Sequence, residues 1–272
     1  MHVQYPSLRW PPRVQIAGVS SLEEALFCHK TGVEALGFTL ELPTGIHDGL
    51  TRQAAAQIIE VLPKGILPVA ITYLSTARDA VALVKETRCG AIQFHGGISL
   101  DEVRRFKDLL PEVRTIARVT VSSFEATAAA RRFRLPEWDA IILDSVDPRT
   151  GRIGATGLPH DWSISRAIRD VARIPMILAG GLTPENVEKA IAITRPAAVD
   201  VHTGIENPDG TRSFSKIHAF TKKALQALSR WSIAEPGNQP SADRNMTLRG
   251  EARVTPGGSP GAFLTNRGSR KP

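Results

Sequence analysis

The chain has 272 residues, 42% of them apolar, with 34 Lys and Arg against 27 Asp and Glu and a net charge of +7. That length suits one large domain or two small ones, and the apolar share is ordinary for a globular protein. No apolar run reaches the ~18 residues of a membrane span. The opening MHVQYPSLRWPP has no apolar signal core, and Cys28 and Cys89 lack metal or CxxC spacing, so a cytoplasmic protein with two buried structural thiols is expected.

In chain order, residues 1–12, with Pro6, Pro11 and Pro12, read as an extended lead-in. Short apolar runs then alternate eight times with longer amphipathic stretches. The expected strands are Arg13–Gly18, Ala35–Leu40, Leu67–Thr72, Ala91–His95, Arg114–Thr120, Asp139–Asp144, Met176–Ala179 and Ala198–His202. They lack a clean two-residue alternation, which fits strands buried on both faces of a parallel sheet. The expected helices are Ser21–Thr31, Thr51–Leu62, Thr76–Thr87, Leu100–Leu110, Ser123–Arg132, Trp162–Ala172, Pro184–Thr194 and Phe214–Leu228. Start signals agree. Ser20-Ser21 precedes Glu23-Glu24, Ser99 precedes Asp101-Glu102, and Thr183-Pro184-Glu185 sets a cap with proline at the first helical position.

Eight βα units in about 220 residues predict a single α/β domain over 13–231, a (β/α)8 TIM barrel, with a doubly wound open sheet as the alternative. From Ser232 the chain is rich in Pro, Gly, Ser and Arg without any period, and a disordered basic tail over 232–272 is expected. Six Arg and Lys against three Asp and Glu give that tail +3 of the net +7. The remainder suits an anionic small molecule. No nucleic-acid motif and no interleaving of basic with aromatic residues is visible, so neither nucleic acid nor a membrane is expected as a partner.

Barrel chemistry sits at the C-terminal ends of the strands. The residues there are Ala17 and Gly18; Glu41, then PTGIHDG with His47 and Asp48; His95; Arg118; Asp144 and a long sixth loop; Gly180 and Gly181; and His202, Thr203 and Gly204. AGGLTPENV places two glycines at a strand end before a helix, and VHTGIE places a hydroxyl and a glycine at the next. Exposed backbone N–H groups in adjacent seventh and eighth loops make an anion site. Asp144 ends the apolar run AIILD, where burial raises a carboxyl pKa and suits acid–base work, a loop hydrogen bond being the plainer role. His95 reads equally as a mouth residue or a structural one, and Arg104-Arg105 and Arg131-Arg132 as solvated helix faces.

Together these pieces resemble the phosphoribosylanthranilate isomerase family over about Val14 to Leu228. The likeness rests on GVEALGF (32–38), IQFHGG (92–97), IILD (141–144), GATGLPHDW (154–162), LAGGLTPENV (178–187) and VDVHTGIENPDGTRS (199–213). The resemblance implies an Amadori rearrangement of a phosphorylated ribosyl amine, from aldose amine to ketose amine, with no cofactor and no metal. It implies Asp144 as the acid that protonates the ribose ring oxygen, and Gly180, Gly181, Thr203 and Gly204 as the phosphate loops. Gln15, His47, His95, Arg118, Thr156, Gly157 and His202 would line the substrate. The expected partner is a phosphorylated small molecule, and the expected state a monomer or homodimer.

The departures are as specific as the matches. Where the family has a lysine and, two residues on, the cysteine base of the first strand, this chain has Gln15 and Ala17. The family's second-loop arginine, which grips the anthranilate carboxylate, has no counterpart in LPTGIHDGL, and the sixth-loop glycine pair is Gly154-Ala155. Loss of a positioned base costs ~10²–10⁴-fold in rate. Two alternatives therefore stand beside the isomerase: a diverged barrel enzyme that uses Asp144 on another phosphorylated ligand, and a non-catalytic binder of such a ligand.

Overall fold

In the computed structural model, residues 5, 9–42, 49–121, 123–145 and 160–232 are described. Among the described residues, eight short strands and eight helices alternate from Val14 onward. The strands are β1 (Val14–Ala17), β2 (Ala35–Thr39), β3 (Leu67–Thr72), β4 (Ala91–Phe94), β5 (Arg114–Val121), β6 (Ala140–Ser145), β7 (Met176–Leu178) and β8 (Ala198–Val201). The helices are α1 (Leu22–Lys30), α2 (Arg52–Glu60), α3 (Ala77–Thr87), α4 (Leu100–Leu109), α5 (Glu125–Ala130), α6 (Trp162–Val171), α7 (Val187–Thr194) and α8 (Phe214–Ser232). Each strand pairs in parallel with its sequence neighbour, and β8 closes on β1. This is the expected (β/α)8 barrel, with every strand end within one residue of its expected place.

Strand geometry explains why the runs show no alternation. Successive side chains point to opposite faces, and both faces are dry. The outer face of the strands and the inner faces of the helices share one core, with Val14, Ile16, Leu36, Phe38, Ile92 and Leu143 all at 0% exposure. The inner face fills the barrel with a second, separate cluster that includes Ala35, Val69, Ala91, Ile116, Ile142, Ile177, Ala179 and Ala198. Alanines keep that interior narrow and leave its upper end to polar residues.

The lead-in does more than enter the first strand. Tyr5 and Trp10 pack against the interior cluster. Trp10 Nε1 donates to the carbonyl of Asp139 (3.0 Å), and the Arg114 guanidinium lies 5.4 Å from the Trp10 ring centroid. Both contacts are at the N-terminal ends of β5 and β6, so the lead-in closes the barrel floor opposite the mouth.

The helix starts follow the sequence in most cases. Ser21 Oγ accepts from Glu24 N (3.1 Å) while Glu24 Oε2 accepts from Ser20 N (3.1 Å), a reciprocal cap. Ser99 Oγ accepts from Glu102 N (3.3 Å). The seventh helix is a correction. It begins at Val187, with Asn186 as its cap residue, and Pro184 is not its first residue. Thr183 Oγ1 accepts from Glu185 N and Asn186 Oδ1 from Thr183 N, so residues 183–186 make their own turn before the helix starts. The fifth helix is also shorter than expected at both ends; Ser123 Oγ accepts from Glu125 N (3.3 Å) ahead of it, and Phe124 in its cap position offers no side-chain acceptor. The eighth runs on to Ser232, and the remainder of the expected tail lies outside the described residues. Among the described residues no helix is long and apolar enough to cross a membrane.

Candidate active site

Two aspartates bracket β6, and their surroundings separate them. Asp139, at the barrel floor, accepts from Lys107 Nζ (2.9 Å), Arg114 Nη1 (2.8 Å) and Thr115 N (2.9 Å). Burial pushes its pKa up, but these donors outweigh it and the carboxyl is held low. Asp144, at the mouth, is 6% exposed. Its Oδ1 accepts from Ser145 N (3.0 Å), while Oδ2 is buried without a hydrogen-bond partner. Burial raises its pKa to about 6, against the opposing pull of Arg118 and the Ser145 N–H. A carboxyl that is short of donors and titrates close to neutrality is equipped to exchange protons with a ligand.

A polar row crosses the barrel beneath the mouth. Gln15 Nε2 donates to Gln93 Oε1 (3.1 Å), and Gln93 Nε2 lies 2.5 Å from His95 Nε2. An amide donor there makes Nε2 the acceptor and leaves the imidazole proton on Nδ1, which faces Asp144 Oδ2 at 3.9 Å. Burial, aided by Arg118, drops the His95 pKa to about 3, so the ring is neutral and its contact with Asp144 is no ion pair. Arg118 enters from β5 with its guanidinium 6.0 Å from the Tyr73 ring, and Tyr73 in turn tilts against His95 (5.8 Å). Among the described residues no carboxylate oxygen lies within 4.0 Å of Arg118 in an ion pair.

The seventh and eighth loops meet closely. Gly180 and Gly181 have φ of +85° and +61°, which L side chains rarely adopt. Thr203 and Gly204 lie in a short 3-10 turn, Thr203–Ile205. A Cβ on Gly204 would lie 1.8 Å from the carbonyl oxygen of Leu182, so only glycine permits that approach. All four residues are partly exposed at the mouth. Among the described residues none of their N–H groups donates to a backbone carbonyl outside regular structure.

Of the residues singled out from sequence, Gln15, His95, Arg118 and Asp144 come together. Gly180, Gly181, Thr203 and Gly204 form the adjoining rim. His202 lies just past β8, beside Gly18, with Nε2 3.8 Å from Glu206. Ala17 is 7% exposed and brings only its methyl group. His47, Asp48, Thr156 and Gly157 lie outside the described residues. Arg104, Arg105, Arg131 and Arg132 are exposed, as expected, and Cys28 and Cys89 are free and buried.

Three participants go unnoticed in the sequence. Asp200 is 7% exposed and has a buried Oδ1 without a hydrogen-bond partner. Burial raises its pKa to about 7, with Gln15 opposing and Asp144 adding to the rise. Gln93 joins Gln15 to His95. Arg212 donates to the carbonyls of Ala17 (2.6 Å), Gly18 (2.9 Å) and His202 (2.8 Å), and pairs with buried Glu24 (3.1 Å), tying the ends of β1 and β8 together. Asp200 and Gln93 each stand two residues before a residue already placed at the mouth. The two-residue strand period was the signal for them; Arg212 carries no such signal.

Residues 20–223 match the family model described as N-(5'phosphoribosyl)anthranilate (PRA) isomerase. N-(5'-phosphoribosyl)anthranilate isomerase 2 of Methanosarcina mazei is 33% identical over 213 residues, 78% of this chain and 93% of that protein. Phosphoribosyl anthranilate isomerase of Thermotoga maritima superposes with a TM-score of 0.68 at 30% identity, covering 79% of this chain and 99% of that one. A phosphoribosyl anthranilate isomerase in complex with reduced 1-(o-carboxyphenylamino)-1-deoxyribulose 5-phosphate superposes with a TM-score of 0.66 at 29% identity, with the same two coverages.

Proposed function

This chain belongs to the N-(5'-phosphoribosyl)anthranilate isomerase family, and from that premise we propose how its own residues carry the reaction. It is an intramolecular oxidoreductase that converts phosphoribosylanthranilate, an aldose amine, to the ketose amine. The N–H groups of Gly180, Gly181, Thr203 and Gly204 hold the substrate phosphate. Asp144 gives its proton to the ribose ring oxygen, the ring opens, and a Schiff base forms at C1′. A proton then leaves C2′, and the enol-amine becomes the ketone. The observation that carries this reading is Asp144 itself, with its buried unpartnered Oδ2 and a pKa raised to about 6 beside the glycine rim. At neutral pH such a group keeps a useful fraction of its acid form, which an ordinary aspartate lacks.

Arg118 is the cation we assign to the anthranilate carboxylate. It stands on β5, two strands from β7 and three from β8, with Tyr73 as an aromatic wall beside it. His95, neutral and 3.9 Å from Oδ2 of Asp144, borders that carboxyl without hydrogen-bonding to it.

The test is turnover of phosphoribosylanthranilate by the full chain and by Asp144→Asn. The wild type should be active, and the variant should lose ~10²–10⁴-fold in kcat while keeping its affinity for the ketose phosphate product. Gln15 and Ala17 favour a second reading, a barrel enzyme with a changed phosphorylated substrate. A wild type that binds ribulose phosphates but turns over no phosphoribosylanthranilate would select that reading and sink the first.

A further inference from the structure

Ala17 can take no proton, so the C2′ proton needs another acceptor. We propose that Asp200, on the strand beside Ala17, is the base that removes it. The assignment rests on the isomerase reading above and on three features of the barrel.

The first is position. β6, β7 and β8 run in register, with Leu143 opposite Leu178 and Leu178 opposite Val199. The next residue along each strand is Asp144, Ala179 and Asp200. The two carboxyls therefore flank the methyl group of Ala179 on the barrel's inner face. Two strand spacings separate their backbones by about 9.5 Å, and side chains that point into a closed barrel converge from there. Gly180 and Gly181 follow Ala179 directly. A phosphate held by those glycines suspends its ribose over Ala179, with Asp144 on one side and Asp200 on the other.

The second feature is unmet bonding. Oδ1 of Asp200 is buried without a hydrogen-bond partner, as is Oδ2 of Asp144 on the far side of Ala179. A buried carboxylate oxygen with no donor is costly unless a ligand uses it. Among the described residues no cation lies within 4.0 Å of Asp200; Gln15, its neutral partner in the β1–β8 register, hydrogen-bonds to it, and the charge of Arg212, which pairs with Glu24, pulls its pKa down less than burial raises it.

The third is the state of the pair. Burial lifts both groups, to about 6 for Asp144 and about 7 for Asp200, and Asp144 pushes Asp200 up further. Like charges this close share a proton over the neutral range, so one is acid while the other is base. Asp200, with the higher pKa, holds that proton most of the time, and the reactive arrangement is the less populated one with the proton on Asp144. Asp144 protonates O4′ as the C1′–O4′ bond breaks and the iminium forms. The Asp200 carboxylate takes the proton from C2′, the C2′–H electrons become the C1′=C2′ bond, and the iminium π electrons return to nitrogen. C1′ then takes up the proton from Asp200, and the enol hydroxyl releases its own to Asp144 through solvent. Both carboxyls end as they began.

The experiment measures kcat and KM for phosphoribosylanthranilate from about pH 5 to about pH 9 on the full chain, Asp200→Asn and Gln15→Lys. Asp200→Asn should lose at least ~10²-fold in kcat, with KM and the affinity for reduced 1-(o-carboxyphenylamino)-1-deoxyribulose 5-phosphate changed no more than about threefold. Gln15→Lys puts an ammonium beside Asp200 and should move the acidic limb of the kcat profile to lower pH by about one unit or more. Asp200→Asn retaining more than about a tenth of wild-type kcat overturns the assignment. If Asp200→Asn does not fold, Gln15→Lys decides: a shifted acidic limb supports Asp200 and an unmoved one overturns it. A wild type inactive on phosphoribosylanthranilate overturns the isomerase reading first, and Asp200 as its base with it. A wild type that is active while Asp200→Asn is equally active overturns only Asp200.

Discussion

Replacing Asp200 with Asn should stabilise the protein more at pH 8 than at pH 5. An aspartate in the unfolded chain titrates near 3.9. In the barrel, burial above all and the nearby Asp144 lift it to about 7. Between those values the folded protein keeps a proton that the unfolded chain has released. Its contribution to stability is thus fully present below the unfolded pKa and is lost as pH rises through the folded one. About three pKa units amount to ~4 kcal/mol in total, of which ~2.5 kcal/mol disappears between about pH 5 and about pH 8. Asn binds no proton in either state. The stability difference between variant and wild type should therefore move by ~2.5 kcal/mol in the variant's favour over that interval, or ~5–10 °C in Tm for a domain of this size. Thermal melts of both proteins at both pH values supply the double difference, in which the titration of other groups largely cancels. A double difference below ~0.5 kcal/mol, or one of opposite sign, would mean that Asp200 titrates alike folded and unfolded, and the burial argument would fail.

Two further changes probe the rest of the mouth. Gly204→Ala sets a Cβ against the Leu182 carbonyl, so the seventh and eighth loops must part; KM and the inhibition constant for inorganic phosphate should rise at least ~10-fold, and unchanged values would remove the phosphate from this rim. Arg118→Met should raise KM for phosphoribosylanthranilate by ~10–100-fold, the worth of a charge-assisted hydrogen bond, yet leave KM for the des-carboxy aniline analogue almost unaltered. An equal loss on both substrates would show that Arg118 does not recognise the carboxylate.

Much of this molecule can be read from its residues in order. Runs such as AIILD and ALGFT are too short for helices and too uniformly apolar for a half-exposed sheet, and eight of them between amphipathic stretches leave few architectures. AGGLTPENV and VHTGIE declare themselves because backbone exposure at glycine is a local property. Asp144 is legible for the same reason, as a charge at the end of an apolar run. Motif resemblance locates Ala17 as an altered position without saying what stands in for it.

Strand register decides the remainder. Asp139 and Asp144 look alike at the two ends of one run, and only folding brings Lys107, Arg114 and Thr115 N to the first while withholding donors from the second. Pro184 looks like a helix start until Thr183 and Asn186 are seen to spend their side chains on a turn of their own. Asp200 is one acid within AVDVH, unremarked among apolar neighbours, and its meaning depends on β8 closing against β1 and on Ala179 lying between it and Asp144. Local pattern is set by neighbours in the chain, and so survives in sequence. A carboxyl's pKa and partners are set by groups dozens of residues away, which only the closed barrel brings within reach.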